Sequence, residues 1–314
     1  MALIPVTAVP GERLRARRGS RTGGGRNGAL RSRSAGYLFL SLYVVLLLCF
    51  GIAPTAYAIY LAVTSANGHF SGIANFVNTF HDFRFLPAFE HVGEFMAIWL
   101  TALVVFVVGL ALMLQSMARR VSSVFRFIFY LPGALAGAAS VLVWLFMLEP
   151  GVSPWNFVLS ALGFTGLGQE LLPDHLPVVF AFIAFWTGAG GWIVVMYAAL
   201  NNIPNELLEA AQLDGASVWQ SAMRVKLPLI KKWVVYMVIL AFAAGTQLFV
   251  EPQLVGQASL GLVSPYWSPN ELAYVMAFQN DNFNGAAAVS VDLLVLGLMC
   301  AGALVFRTKL FEVD

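Results

Sequence analysis

Long apolar stretches alternate with short polar or glycine- and proline-rich connections along this chain, and six of the stretches are of membrane-spanning size. They run roughly from Tyr37 to Val63, Val92 to Met117, Val124 to Leu148, Val178 to Leu200, Trp233 to Val255, and Ala286 to Phe306. Each approaches the roughly 20 mostly apolar residues that a helix needs to cross the hydrocarbon core of a bilayer. The pattern therefore predicts an all-α integral membrane protein with six transmembrane helices. Residues 1–36 read as a disordered Arg-rich tail and residues 37–314 as the transmembrane domain.

Composition agrees with this pattern, since 59% of the 314 residues are hydrophobic and 11% are charged, with a mean hydropathy of +0.78. Charge placement adds orientation, because loops on the cytoplasmic side carry the excess of Lys and Arg. Eight arginines precede the first stretch (Arg13, Arg15, Arg17, Arg18, Arg21, Arg26, Arg31 and Arg33). Arg119, Arg120 and Arg126 flank the second connection; Arg224, Lys226, Lys231 and Lys232 fall in the fourth; Arg307 and Lys309 follow the last stretch. The connections on the other side hold Arg84 alone, so 17 of 18 basic residues share one side. Both termini of this multi-pass membrane protein are expected in the cytoplasm. The basic head then reads as a membrane anchor, with no nucleic-acid partner. A cleaved signal ending near Ala56-Tyr57-Ala58 is the rival, but the apolar run before it is longer than such a signal uses.

Groupings that carry catalysis or metal binding are not found in the sequence. Cys49 and Cys300 are far apart, the four histidines (His69, His81, His91, His175) are scattered, and no phosphate-cradling glycine loop occurs. The chain is expected to be non-catalytic and to bind no metal or cofactor itself.

The connection at 201–232 is unusually long and reads as ordered. Pro204 suits the start of a helix, Glu206 and Glu209 place negative charge at its positive end, and Leu207, Ala210, Ala211 and Asp214 share one face. Gly215 stops that helix. A second segment, about Ser217 to Val225, is expected to close at Leu227-Pro228. Such a helix-turn-helix, with two alanines at its centre, is shaped to dock into a partner's groove.

Glu209-Ala210-Ala211, Gly215, Val225 and Leu227-Pro228 match the spacing E-A-A-x3-G-x9-I-x-L-P, with Val in place of Ile. In this the chain resembles the transmembrane subunits of binding-protein-dependent ABC importers. Ile203-Pro204, Asp214-Gly215-Ala216 and the run Tyr274, Ala277, Phe278, Gly285, Ala287 look like the carbohydrate-uptake branch. One departure is Val255-Gly256-Gln257-Ala258, where that branch often has Thr-Gly-Gly-Gly-Pro. The resemblance implies a type I importer permease in which Glu206, Glu209, Ala210, Ala211, Asp214, Gly215, Leu227 and Pro228 form a cytoplasmic coupling loop. It further implies an ATP-binding cassette ATPase dimer holding ATP and Mg, a second permease subunit, an extracytoplasmic solute-binding protein, surrounding membrane lipid, and a sugar or polar solute.

The candidate solute path takes Trp186, Thr187, Gly188, Gly245, Gln247, Glu251 and Asp292. Charges within the membrane usually face a cavity, and sugars stack on aromatic rings while their hydroxyls take polar partners. Pro252 is expected to kink the fifth span beside Glu251, and Asp292 to pair with a hydroxyl or a Trp N–H between helices. A secondary transporter of a small polar solute is the alternative. It predicts internal repeats and ion-coupling acids near the midplane, and only Asp292 comes near that role.

Overall fold

The computed structural model describes residues 40–135, 137–161, 163, 166, 175–259 and 261–308. The basic tail, Glu170, Asp174 and Lys309 lie outside the described residues. Two units divide the chain, Met1–Thr55 and Ala56–Asp314. The described part of the first belongs to helix α1 (Leu40–Ala62), where Thr55 Oγ1 donates to the Gly51 carbonyl at 2.8 Å.

In the second unit the order is α2 (Ala74–Phe80), α3 (Phe85–Ser116), α4 (Arg119–Tyr130), α5 (Ala138–Leu148), α6 (Asn156–Ala161) and α7 (Leu176–Asn201). There follow α8 (Asn205–Leu213), α9 (Val218–Gly245), α10 (Val250–Ala258), α11 (Pro269–Phe278) and α12 (Phe283–Thr308). Among the described residues α1, α3, α7, α9 and α12 are long and apolar enough to cross a membrane.

The third stretch, expected as one helix, is a bent pair instead. Residues Arg119–Ala134 and Ala138–Leu148 meet at 101°. Pro132 sits in a 3-10 turn at Leu131–Ala134, and Gly137 takes φ +56°, a conformation costly for any residue with a Cβ. The second span also begins earlier than its hydropathy suggested, at Phe85.

Two further boundaries differ from expectation. Helix α9 runs straight through Leu227-Pro228, because a π turn at Ala222–Lys226 precedes the proline. The Leu227 N–H there reaches back five residues to the Ala222 carbonyl, so the hydrogen-bond ladder is already offset where Pro228 removes a donor. At its other end α9 stops at Gly245, not Val255. Asn270 Nδ2 donates to the Thr246 carbonyl at 2.9 Å, holding the chain in a break before α10 begins at Val250. Pro252 therefore lies in the first turn of a new helix and kinks nothing.

The core forms where α3, α7 and α9 meet. Phe95, Trp99, Leu103, Val107, Ala111 and Leu114 follow one face of α3 and pack with Phe180, Ile193, Met196 and Leu200 of α7 and with Ile230, Met237 and Ala241 of α9. Lipid is as apolar as these side chains, so close fit rather than water exclusion holds the helices together, and small residues make the fit possible. A Cβ at Gly190 of α7 would collide with the Phe129 carbonyl of α4, and one at Gly245 would come within 2.9 Å of the Trp99 ring.

Candidate functional site

Side-chain contacts define two ends. At one, Gln115 near the end of α3 donates through Nε2 to the Leu200 carbonyl of α7 at 3.0 Å and accepts from Lys226 Nζ of α9 at 2.8 Å. Arg126 lies 4.0 Å over the Tyr197 ring. This basic end carries Arg119, Arg120, Arg126, Arg224, Lys226, Lys231 and Lys232. At the opposite, acidic end, Asn284 of α12 donates to the Leu61 and Thr64 carbonyls, and His91 Nδ1 of α3 donates to the Trp267 carbonyl at 3.1 Å.

Helix α8 stands at the basic end, between the clipped ends of α7 and α9. Pro204, expected in its first turn, is its N-cap (ψ 135°), and Glu206 lies in the first turn. Its last turn closes by two reaching hydrogen bonds, Ala216 N–H to the Ala211 carbonyl and Gly215 N–H to the Gln212 carbonyl, both 3.0 Å. Gly215 has φ +78°, which this closure demands and which only glycine adopts without strain. Ser217 and Gln220 then form a reciprocal capping box at the start of α9.

No residue of α8 is buried. Leu208 and Ala211 turn toward the body, while Glu206, Leu207, Glu209, Ala210, Leu213 and Asp214 are exposed. Leu213 is 88% exposed, with Val218 and Trp219 beside it at 81% and 69%. Glu206, Glu209 and Asp214 make no hydrogen bond or ion pair through their side chains among the described residues. The helix has no side-chain N-cap, closes at Gly215, and presents apolar and acidic side chains outward. Leu227 and Pro228 do not share that surface; they lie within α9. The sequence pattern missed Gln115, Leu213 and Trp219.

The proposed solute-path residues lie on α7, at the end of α9 and in the break after it, in α10 and in α12. Trp186 meets Trp144 edge-on at 5.4 Å, and the Trp144 ring N–H has no partner among the described atoms. Thr187 spends its hydroxyl on the Ile183 and Ala184 carbonyls of its own helix, at 3.0 and 3.2 Å. Gly188 faces open space, whereas Gly245 is filled by Trp99. Gln247 is exposed in the α9–α10 break, and Glu251 is half-buried in α10, where burial pushes its carboxyl above the usual range. Asp292 of α12 has no hydrogen-bonding partner among the described residues, contrary to the expected hydroxyl or Trp N–H.

The acidic end holds a site that the sequence reading left out. Ser268 and Glu271 cap α11 reciprocally, at 3.2 and 3.3 Å, with Pro269 in its first turn. Glu271 is 3% exposed, and burial raises its carboxyl to about 7 against the N–H groups of Ser268 and Trp267, which favour its charged form. Trp267 is wedged between the parallel ring of His91 (5.0 Å) and the edge of Phe180 (4.9 Å). The pattern S-x-x-E in Ser268-Pro269-Asn270-Glu271 is the signal that marks this helix start.

Five helices of membrane length among the described residues, with an exposed helix in one connection, are the features of a multi-pass membrane protein. Residues 98–306 match the family described as binding-protein-dependent transport system inner membrane component, and the chain belongs to that family. The probable ABC transporter permease protein YurN of Bacillus subtilis (strain 168) is 27% identical over 270 residues, covering 83% of this chain and 91% of its own. The diacetylchitobiose uptake system permease protein NgcF of Streptomyces coelicolor is 28% identical over 287 residues, 85% of this chain and 80% of its own. The sn-glycerol-3-phosphate transport system permease protein UgpA of Salmonella typhi is 30% identical over 206 residues, 64% and 69% of the two chains. In fold, the chain is similar to a subunit of a bacterial ABC transporter involved in the import of the acidic polysaccharide alginate. The TM-score is 0.74 at 19% identity, over 91% of this chain and 99% of the other. Family membership sets aside the secondary-transporter alternative.

Proposed function

We propose that this chain is one of two membrane subunits of an ATP-driven importer of a sugar or related hydroxylated solute, with its basic end and both termini in the cytoplasm. Helix α8 is the coupling helix and sits in a cleft of an ATPase subunit. ATP and Mg belong to the ATPase dimer, and this chain moves without chemistry of its own. A second permease completes the pore, and an extracytoplasmic binding protein delivers solute to the acidic end. Sugar as the solute class draws support from relatives such as the diacetylchitobiose permease.

The observation that carries the reading is the exposure of α8 despite its defined C-terminal closure at Gly215. A short helix that buries nothing gains little from its own chain, since helices of this length are marginal alone, so its order serves a partner. The Lys226–Gln115–Leu200 chain of hydrogen bonds joins the two ends of the loop to α3. A push on α8 is thereby shared by three spans, which is what a two-state lever requires.

The test is co-purification of the full transporter with native chain or with Glu209→Lys. Glu209 is exposed, so the variant folds, and loss of the ATPase from the variant alone is the expected result. An ATPase retained equally by both, or bound by neither, overturns the assignment of α8.

A further inference from the structure

The α9–α10 break, α10 and α11 enclose a cavity of about 280 Å³ at the acidic end, lined in part by Phe249, Gln253, Gln257, Glu271, Tyr274 and Gln279. It adjoins a shallower groove that shares Phe249 and Tyr274 and adds Gln247 and Asn270. Phe249 and Tyr274 meet at 5.6 Å between centroids and form an aromatic wall. The side-chain amides of Gln253, Gln257 and Gln279 make no hydrogen bond among the described residues, which leaves three groups that both donate and accept. An aromatic wall beside free amides is suited to a ring with an apolar face and hydroxylated edges. The volume suits one ring rather than a chain of them.

Charge narrows the ligand further. The cavity is lined by one carboxyl, Glu271, and by no Lys or Arg. Arg84, the basic side chain in the acidic-end connections, is held by Asp82 at 2.6 Å and lies over the Phe83 and Tyr266 rings. A negatively charged solute placed here would meet a buried carboxylate with no compensating cation, which is costly where water is scarce.

We propose that this cavity is an entry subsite for a single uncharged sugar ring, and that Glu271 makes it select neutral over acidic solutes. The proposal rests on the importer reading, which places this end outside the cell.

The assembled transporter in nanodiscs tests it, carrying Cys49→Ser, Cys300→Ser and Asn280→Cys, the last exposed beside the cavity residue Gln279. At pH 8 a cationic thiosulfonate should label residue 280 about tenfold faster than an anionic one, the scale of electrostatic focusing by a cleft. Glu271→Gln, which can still cap α11, should bring the two rates within about threefold of each other. Glucose, N-acetylglucosamine or maltose should slow labelling, and glucuronate should not. Equal rates in the Glu271 form, protection by glucuronate, or protection by none of the three neutral sugars overturns the proposal. ATPase bound in the same preparation reports separately on the importer reading, so the two failures are distinguishable.

Discussion

Helices α8 and α11 are nearly equal in length, nine and ten residues, and each lies in a connection beside a long span. Beyond that they behave as opposites. Helix α8 buries no residue, whereas α11 buries Pro269, Glu271, Leu272, Val275, Met276 and Ala277 between the start of α3 and α12. Their ends differ too: the Ser268–Glu271 box caps the head of α11, whereas α8 starts after Pro204 with no side-chain cap, and the Ser217–Gln220 box that follows it belongs to α9. They also differ in where the remaining free energy comes from. Packing within the chain holds α11, and its sequence need only fill space. Helix α8 has little such packing beyond Leu208, which meets the core, and most of its side chains face outward.

The largest test of this contrast is truncation of a leucine in each helix. Leu272→Ala, fully buried in α11, should destabilise the chain by about 2–5 kcal/mol, whereas Leu213→Ala in α8 should stay within about 0.5 kcal/mol. Thermal unfolding of the detergent-solubilised chain reads both, and a large loss from Leu213→Ala would break the comparison.

A smaller effect follows from Glu271. Its folded carboxyl titrates near 7 rather than at 4.5, because burial disfavours the charge. The folded state thus holds the proton more tightly, so this contribution to stability is complete below pH 4.5 and is lost as pH rises through about 7. Glu271→Gln should flatten that decline and raise the melting midpoint at pH 8 by several degrees while leaving pH 5 little changed.

The smallest difference is expected from the caps. Ser217→Ala should cost about 1 kcal/mol, and Ser268→Ala somewhat more, since Ser268 is fully buried and its loss strands a buried N–H. Hydrogen exchange at Gln220 and Glu271, whose amides the two hydroxyls accept from, measures each cap locally.

The same contrast explains what could be read from the sequence. Helix α8 was legible in detail, down to the positive φ of Gly215, because its signals are local: charge at its head, a stop glycine, a face of small residues. The spans were legible from hydropathy, but their breaks were not. The run from Trp233 to Val255 is continuously apolar, yet it breaks after Gly245, where Asn270, more than twenty residues onward, takes the Thr246 carbonyl. Pro228 looked like a stop because the π turn that accommodates it leaves no periodic trace. Pro132 and Gly137 stand at the bend in the third span, but the sequence reading went by apolar length alone and took that stretch as one helix. The Ser268-x-x-Glu271 spacing carries a capping signal that the sequence reading passed over; the burial of Glu271 depends on α3 and α12, which no local pattern reveals.

The central claim is that α8 touches the ATPase and α11 does not. The most direct measurement places a photoactivatable benzoylphenylalanine at Leu213 of α8 and, separately, at Phe278 of α11, which is 68% exposed, in the intact transporter. The account predicts an adduct with the ATPase from position 213, its yield changing between ATP and ADP, and none from position 278. An ATPase adduct from position 278, or only lipid and self adducts from position 213, would contradict it.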